Sequence, residues 1–486
     1  MQGTTASKTT VDARKLLNLR GFAALQTFTG RGDTTIMKVN RRNFIRTSAT
    51  VASGVAGSSV GATKAAAVRS RTQGASPNDK IHVALIGCGG MGRNDLSDFL
   101  KLDQVECLAL ADVDDAQVAK GVKRVEESRS HRPDTYRDFR RVLDRDDIDV
   151  VIVGTPDHWH AIPTIMACQA GKDGYVEKPL ATSIEEGRAM VAAARKYPRV
   201  VQVGTQFRSA EHMQEAVDFV RSGQLGKIRK VRTWAYHDYL GPLGNPPDAD
   251  PSDTVDYDFW LGPAPKRPFN PTRFHIQYRW FWNYSGGAAT DYGAHVVDVA
   301  AWAMGEEPIG ASGFGGNFGY PDDIMETFDS QVSTVRFPSF TLLWEHQIGT
   351  GLGPWQRDLG IEFHGNSGVL VVSHDGWEVR SETNTRHRTP REYRMKGIPW
   401  RASSQDYHFD HVRNFVDCLE SRDRPNADIE VHHKTMNICH LANIATRLGS
   451  AVSWDPATEK IGGDPRAQAM LGRTYRAPCP GFSSLP

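Results

Sequence analysis

Residues 81–92 read IHVALIGCGGMG. A largely apolar run of parallel-strand type enters a glycine loop directly, and apolar residues at helical spacing follow as far as Leu102. The loop has the spacing G-x-G-x-x-G, in which glycines allow a tight turn, a close approach of a pyrophosphate and a close contact between helix and strand. The stretch therefore predicts a β-α unit with a dinucleotide site. Its predicted contact residues are Gly87, Gly89, Gly90, Met91 and Gly92.

A second strand is predicted for residues 105–111, and it ends at Asp112. Asp112 lies 20 positions after Gly92 (112 − 92). An acidic residue at this place accepts hydrogen bonds from ribose hydroxyls and repels a 2′-phosphate, which favours NAD over NADP. Because strands, loops and helices continue to alternate along the chain, the pattern predicts a doubly wound parallel sheet.

A third buried strand, residues 149–154, opens into the loop TPDHWH at residues 155–160. Ligands of open α/β sheets bind beyond the carboxyl ends of the strands, so this loop is expected beside the cofactor. We assign Thr155, Pro156, His158 and His160 to the cofactor site. A metal at the two histidines is disfavoured, and a structural role for either one stays open.

The tripeptide Glu177-Lys178-Pro179 follows a short apolar run, residues 174–176. At the end of a parallel strand its lysine would point into the crevice that holds a nicotinamide, next to a substrate hydroxyl. A single Glu-Lys-Pro is more typical of a surface ion pair followed by a loop proline. The nucleotide loop upstream favours the first interpretation, so Glu177 is assigned to the cofactor and Lys178 to both the cofactor and catalysis.

The N-terminal residues have the features of an export signal. Arg41 and Arg42 precede a weakly apolar stretch, residues 47–62, and then three alanines, residues 65–67, an arrangement typical of a twin-arginine signal peptide. The alternative is a disordered basic tail. The signal predicts export to the periplasm through the twin-arginine machinery, without a stable membrane anchor because the apolar stretch is too short and too polar. We predict residues 1–36 as a non-native upstream extension, 37–67 as the signal peptide and 68–79 as a linker.

Length and composition exclude some classes of protein. The 486 residues exceed what one core usually holds, so two domains plus tails are expected. Lys and Arg total 58 against 57 Asp and Glu, a net charge of +1, which argues against nucleic acid or an anionic membrane as partner. The six cysteines lack C-x-x-C spacing, so we predict neither a metal site nor a disulfide framework.

The order of these motifs, ending with DYGAH at residues 291–295, resembles the Gfo/Idh/MocA family of glucose-fructose oxidoreductase and inositol dehydrogenase-like proteins. The resemblance covers about residues 80–449. Residues 259–263 and 279–282 are similar to its exported branch with twin-arginine signals.

The resemblance implies an α/β architecture with two domains. A Rossmann domain would occupy residues 80–200, an α+β domain with a large, mostly antiparallel open sheet residues 201–455, and a C-terminal tail residues 456–486. Members of the family commonly pair through the face of this sheet, which implies a homodimer or homotetramer.

By the same resemblance, His295 takes the proton of the substrate hydroxyl, Asp291 orients His295, and Lys178 hydrogen-bonds the reacting oxygen. Asp291 and His295 are four positions apart, so on a helix they share one face. Histidine titrates near neutral pH, and a cation favours negative charge that develops on the oxygen. Weaker candidates for a sugar pocket are Gln206, Arg208, Tyr236, His237, Arg279, Trp280 and Tyr292. Three histidines of a predicted helix are expected to be packing or surface residues rather than metal ligands: His432, His433 and His440.

Three functions stay open at this point. The leading hypothesis is an NAD-dependent oxidoreductase that transfers hydride between a secondary hydroxyl of a small sugar, cyclitol or glycoside and a tightly held nicotinamide. An exported enzyme has no evident pool of free NAD, so the second hypothesis is a redox-neutral glycoside hydrolase or lyase that acts through a transient keto-sugar. The third is a non-catalytic sugar- or nucleotide-binding protein, against which the joint presence of Lys178, Asp291 and His295 argues.

Overall fold

The structure, a computed structural model, describes residues 80–238, 240–384 and 392–479. The upstream extension, signal peptide and linker predicted for residues 1–79 lie outside the described residues. Over the part of the chain that the structure does describe, no helix has the length and apolar character needed to span a membrane.

The first domain is built on a six-stranded parallel sheet with the strand order β3-β2-β1-β4-β5-β6. Its strands are β1 (Ile81–Ile86), β2 (Val105–Ala111), β3 (Asp134–Tyr136), β4 (Val150–Val153), β5 (Asp173–Val176) and β6 (Val201–Val203). Between them lie α1 (Gly90–Leu100), α2 (Asp115–Ser128), α3 (Arg140–Leu143), α4 (Ala161–Gln169) and α5 (Ile184–Lys196). The order reverses between β1 and β4, so the predicted doubly wound sheet is confirmed, and the crevice for a ligand opens at this reversal.

The second domain contains a ten-stranded sheet with the order β14-β13-β12-β11-β7-β10-β9-β8-β15-β16. Its strands are β7 (Lys230–His237), β8 (Gly310–Gly316), β9 (Ser330–Arg336), β10 (Thr341–Ile348), β11 (Leu359–His364), β12 (Gly368–Ser373), β13 (Gly376–Ser381), β14 (Ile398–Ala402), β15 (Val452–Asp455) and β16 (Lys460–Gly462). Its helices are α6 (Glu211–Arg221), α7 (Tyr257–Leu261), α8 (Ala288–Asp291), α9 (Gly293–Met304), α10 (Tyr407–Ser421), α11 (Ile429–Leu448) and α12 (Pro465–Ala469). Among the described strands β7 runs parallel to β10 and the other neighbours are antiparallel, which confirms the large, mostly antiparallel sheet.

Two of the predicted boundaries need correction. Val201 pairs in parallel with Gly174 of β5, so the first sheet continues past the predicted end of its domain at residue 200. The predicted C-terminal tail from residue 456 is part of the fold, because β16 pairs with β15 and Arg473 Nε donates to buried Glu186 Oε1 at 2.7 Å. The Val201–Gly174 pairing and the Arg473–Glu186 contact join residues that are far apart in sequence, which periodicity alone does not reveal.

Helix α11 joins the two domains by packing against α5 of the first and α9 of the second. The approach to α5 is close, since a Cβ on Gly187 would lie 2.5 Å from His433 Nδ1. His432, His433 and His440 are all buried, which makes them packing rather than surface residues. His433 Nε2 lies 2.9 Å from Glu459 Oε1, an acidic partner that the sequence placed 26 positions away.

Buried histidines are expected to make the fold sensitive to acid. Burial lowers the pKa of His346, His411 and His440 to about 4, whereas the unfolded value is 6.5. As the pH falls below 6.5 the unfolded chain takes up these protons first, so each histidine costs about 2 kcal/mol of stability at pH 5. His408 partly offsets this loss: although burial opposes its charge, Asp95 and Asp98 raise its pKa to about 10, so its stabilising contribution is complete below pH 6.5 and is lost toward pH 10.

Thermal unfolding should therefore begin at a clearly lower temperature at pH 5 than at pH 7.5. The variant His411→Gln is expected to weaken this pH dependence, because its unfolding should take up about one proton fewer at acidic pH. The variant His374→Gln is the control, because that side chain is 46% exposed and should leave the dependence unchanged. An unfolding temperature that is equal or higher at pH 5 would contradict the expectation.

Candidate active site

One side of the glycine loop packs tightly against the rest of the domain, and the other side faces open space. A Cβ on Gly92 would lie 2.3 Å from the Gly87 carbonyl oxygen, and Gly87 itself has φ +90°, with an added Cβ 2.6 Å from Gly154 C. Above Gly89 and Gly90, by contrast, a Cβ would meet nothing within 4 Å. Helix α1 starts at Gly90, so its free N–H groups face this open space and suit a pyrophosphate.

Asp112 stands at the end of β2 with both carboxylate oxygens held. Oδ2 accepts a hydrogen bond from Cys88 N at 2.6 Å, and Oδ1 accepts one from Asp114 N at 3.0 Å. Burial raises the pKa of Asp112 to about 6, so the carboxylate is mostly ionised at neutral pH. The position and charge fit the ribose of NAD, and a 2′-phosphate would meet an anion here.

A cavity of about 710 Å³ extends from this loop to the second domain. Thirteen of the predicted site residues line it, and they come from both domains. They are Gly87, Gly89, Gly90, Met91, Asp112, Thr155, Pro156, Glu177, Lys178, Arg279, Trp280, Asp291 and Tyr292. Its volume lies within the usual range for small-molecule and cofactor sites.

Lys178 and Asp291 form an ion pair at the second-domain side of the cavity. Lys178 Nζ donates to Asp291 Oδ1 and lies 3.4 Å from the Asp291 carbonyl oxygen. Arg279 Nε lies 3.3 Å from the other carboxylate oxygen, Oδ2. Burial alone would raise the pKa of Asp291, but the charges of Lys178 and Arg279 outweigh it and hold the pKa well below its usual range. The ionised carboxylate of Asp291 thus holds the Lys178 ammonium group in place, and this cation faces the cavity.

His295 is not among the side chains that line the cavity. Helix α8 ends at Asp291 and α9 starts at Gly293, so the two predicted partners do not share one regular helix face. The His295 ring packs against Phe207, with the ring centres 5.3 Å apart. Burial and the charge of Lys178 lower the pKa of His295 to about 3, so the imidazole is neutral at ordinary pH.

His158 and His160 face away from the cavity, so their assignment to the cofactor needs correction. His158 Nε2 lies 2.9 Å from the Trp260 carbonyl oxygen. The two ring nitrogens of His160 lie 2.7 Å from Pro179 O and 2.8 Å from Thr155 O. His160 therefore links the loop that carries Thr155 to the loop that carries Lys178, and His158 holds the backbone of Trp260 in the second domain.

Four candidates for the sugar pocket do not line the cavity, and one of them, His237, stacks on Tyr292 with the ring centres 3.6 Å apart. Arg208 forms a buried two-point ion pair with Asp298, with N–O distances of 2.6 and 2.9 Å. Tyr236 Oη donates to Glu345 Oε1 at 3.2 Å, on the ten-stranded sheet. Gln206 does not line the cavity either. Polar side chains of these types can either bind a sugar or join secondary-structure elements, and the sequence alone does not distinguish the two uses.

Glu177 lines the cavity, but its carboxyl group packs inward against Gly204, where an added Cβ would lie 2.0 Å from Oε1. Burial, followed by the charge of Asp95, raises the pKa of Glu177 well above its usual value. Glu177 is thus a buried support for the loop rather than an exposed cofactor ligand.

Several residues that line the cavity were not predicted from the sequence. His275 and Tyr278 belong to the stretch RFHIQYRWFW at residues 273–282, which also supplies Arg279 and Trp280. Tyr278 Oη donates to buried Asp157 Oδ1 at 2.8 Å. The unusual density of aromatic and basic residues was the available signal, but no spacing rule connected it to the nucleotide loop.

Comparison with known proteins finds the same type of nucleotide-binding domain. Residues 81–205 match the model of the oxidoreductase family with an NAD-binding Rossmann fold, and residues 223–309 match its C-terminal alpha/beta domain. A glycosyl hydrolase family 109 protein of Shewanella pealeana is 29% identical over 205 residues, 40% of this chain and 45% of the relative. The alpha-N-acetylgalactosaminidase of Shewanella oneidensis is 30% identical over 152 residues, 30% of this chain and 33% of the relative. The matches thus span less than half the length of these curated relatives.

Solved structures share the fold at lower identity. A levoglucosan dehydrogenase in complex with NADH and levoglucosan is 19% identical with a TM-score of 0.59, covering 77% of this chain and 99% of its own. The aldose-aldose oxidoreductase from Caulobacter crescentus, complexed with glycerol, is 21% identical with the same TM-score and the same coverage. The two matched segments, residues 81–205 and 223–309, assign these parts of the chain to the Gfo/Idh/MocA family of NAD-binding oxidoreductases, and the glycine loop, Asp112 and the ten-stranded sheet agree with that assignment.

Proposed function

We propose that this chain transfers hydride between a secondary hydroxyl of a sugar, cyclitol or glycoside and a tightly held nicotinamide cofactor. The observation that carries the proposal is the Lys178–Asp291 pair at the same cavity as the glycine loop and Asp112. A bound nicotinamide supplies the acceptor or donor of hydride, and the chain's own residues hold the substrate and move the hydroxyl proton.

Each residue has a separate task in this proposal. Gly89 and Gly90 admit the pyrophosphate, and Asp112 holds the ribose. The Lys178 ammonium group contacts the reacting oxygen. As hydride leaves the carbon, the hydroxyl proton passes to Lys178 Nζ while an ammonium proton passes to the carboxylate of Asp291, its hydrogen-bond acceptor, so the O–H bond is exchanged for the C=O bond of the ketone. Asp291 keeps this ammonium group in place. His295 is outside the cavity lining, so we assign it to support of the Asp291 segment rather than to proton transfer.

A redox-neutral glycoside hydrolase or lyase is the second candidate. In that case the same hydroxyl is oxidised and later reduced again, and the net change is cleavage of a glycosidic C–O bond with water or by elimination. The names of the more similar relatives support it, since the glycosyl hydrolase family 109 proteins match at 29% identity and the sugar dehydrogenase structures at 19%. Both candidates use Lys178 and Asp291 in the same way.

We also propose export to the periplasm through the twin-arginine machinery, on the basis of Arg41, Arg42 and the small-residue stretch that follows. A homodimer or homotetramer is proposed as well. Phe314 and Val332 face each other in the β8–β9 pairing and are 81% and 51% exposed, so this face of the sheet offers apolar surface to a second copy. Light scattering of the purified protein measures the oligomer directly.

Retention of the cofactor tests whether the nicotinamide is a permanent part of the enzyme. Purified protein is expected to pass through gel filtration with about one dinucleotide per chain, measured by absorbance after denaturation. Protein that emerges empty and turns over with added NAD would contradict the tightly held cofactor and leave an ordinary dehydrogenase.

A product screen separates the two candidates. Sugars, cyclitols and aryl or natural glycosides are incubated with the protein while cofactor absorbance and released products are both followed. Net oxidation predicts cofactor reduction in proportion to substrate consumed. The redox-neutral reaction predicts cleavage products with no net change in cofactor. Neither signal from any substrate, together with bound NADH, would favour the non-catalytic binding protein.

A further inference from the structure

The second domain is joined to the loop that carries Asp112. Asp115 N donates to Thr254 O at 3.2 Å, and Asp256 N donates to Val113 O at 2.9 Å. Asp114 and Val255 form an antiparallel bridge between these two bonds. Backbone hydrogen bonds therefore hold residues 254–256 of the second domain against the end of β2.

A side-chain contact lies beside this junction. His275 Nε2 is 2.9 Å from Asp114 Oδ2. The other oxygen, Asp114 Oδ1, accepts from Ala116 N and caps helix α2, while Asp114 N donates to Asp112 Oδ1. His275 thus contacts the residue that positions the ribose acid. It does so with φ 51°, a left-handed conformation that is unfavourable for most residues with a Cβ and persists where surrounding contacts hold it.

His275 is also the first residue of a segment that forms one wall of the cavity. All of residues 275–280, which we call the latch segment, line the cavity. At its start His275 pairs with Asp114, and near its end Arg279 Nε lies 3.3 Å from Asp291 Oδ2. The latch segment is therefore attached at the Asp112 side and at the Lys178 side, and it runs along the space between them.

We infer that the latch segment closes over NAD(H) and that the His275–Asp114 contact holds it shut, so that the cofactor leaves only after this contact opens. His275 is a positioning residue, because it acts through Asp114 and the latch segment and not on the reacting atoms. The inference rests on cofactor binding alone and is independent of the substrate and of the net reaction.

The release rate of NADH from the full chain tests the inference without a substrate. Protein loaded with NADH is mixed with excess NAD⁺ in a stopped-flow instrument, and the loss of bound NADH fluorescence is followed. His275→Asn is the first variant, because asparagine tolerates the left-handed conformation but is too short to reach Asp114. Asp114→Ser is the second, because serine caps a helix as well as aspartate but has no second polar atom to reach His275.

Each single variant is expected to release NADH about tenfold faster than the wild-type protein, in keeping with the loss of one hydrogen bond to a charged group. The double variant should be no faster than either single one, because both remove the same contact. His364→Asn is the matched control: its ring lies 2.8 Å from Glu362 on β11, away from the cavity, and it should release NADH at the wild-type rate.

Wild-type release rates in both single variants would overturn the inference. An additive, roughly hundredfold effect in the double variant would overturn it too, because the residues would then act independently. Unfolding temperatures of the cofactor-free variants are measured alongside, and if one variant fails to fold, the other still decides. A wild-type protein that binds no NADH would overturn the inference together with the cofactor assignment.

Discussion

Replacing Lys178 by alanine is expected to lower kcat by about 1,000-fold or more while NADH stays bound. Lys178 Nζ is the cation that pairs with Asp291 at the cavity, and its removal takes away both the contact to the reacting oxygen and a group that exchanges protons. The fold should survive, because Arg279 remains 3.3 Å from Asp291 and still balances its buried charge.

Two measurements check this expectation. Turnover is followed with a substrate found in the product screen, and NADH binding is followed by fluorescence titration. The variant Lys178→Arg separates the two tasks of the lysine, since it keeps the charge but exchanges protons poorly. Activity of Lys178→Ala within a few-fold of wild type would contradict the catalytic role, and loss of NADH binding would indicate a structural one.

Replacing Gly92 by alanine is expected to destabilise the protein by about 3 kcal/mol and to abolish NADH binding. The added Cβ would lie 2.3 Å from the Gly87 carbonyl oxygen, and because that atom belongs to the backbone the loop itself must move. Urea unfolding measures the loss of stability, and fluorescence titration measures the binding of NADH.

Gly89→Ala is the matched control within the same loop. Gly89 has φ −64°, which suits alanine, and its Cβ would meet nothing within 4 Å. The unfolding free energy without cofactor should therefore stay within about 0.5 kcal/mol of wild type, while NADH affinity falls because the methyl group enters the space of the pyrophosphate. Unchanged affinity would mean that the pyrophosphate lies elsewhere.

The local parts of the site could be predicted from the sequence. The glycine loop, Asp112 and Lys178 each stand directly at the end of a strand, and the carboxyl ends of parallel strands meet at one edge of a sheet. Their place in the cavity follows from strand order alone. His158 and His160 stand at such an end too, yet they point to backbone carbonyls, because side-chain direction within a loop depends on packing.

Residues from the second domain were harder to place. Asp291 was predicted as the partner of His295 by resemblance, with their spacing in support. The helix is interrupted between α8 and α9, however, and Asp291 pairs with Lys178, 113 positions earlier. Arg208 is of a type suited to sugar binding, and it is instead neutralised by Asp298 in the interior. Which partner a charged residue pairs with depends on which charges the fold buries next to each other.

The strand pattern and the glycine loop by themselves identify the nucleotide-binding fold, the end of the sheet that binds the cofactor and the preference for NAD, because these depend on interactions within about thirty residues. The tertiary structure alone decides that Lys178 faces Asp291 and Arg279, that His295 lies outside the cavity lining and that residues 275–280 line the cavity. The physical reason is that these contacts join two domains, and their energies depend on distances and burial that no local spacing records.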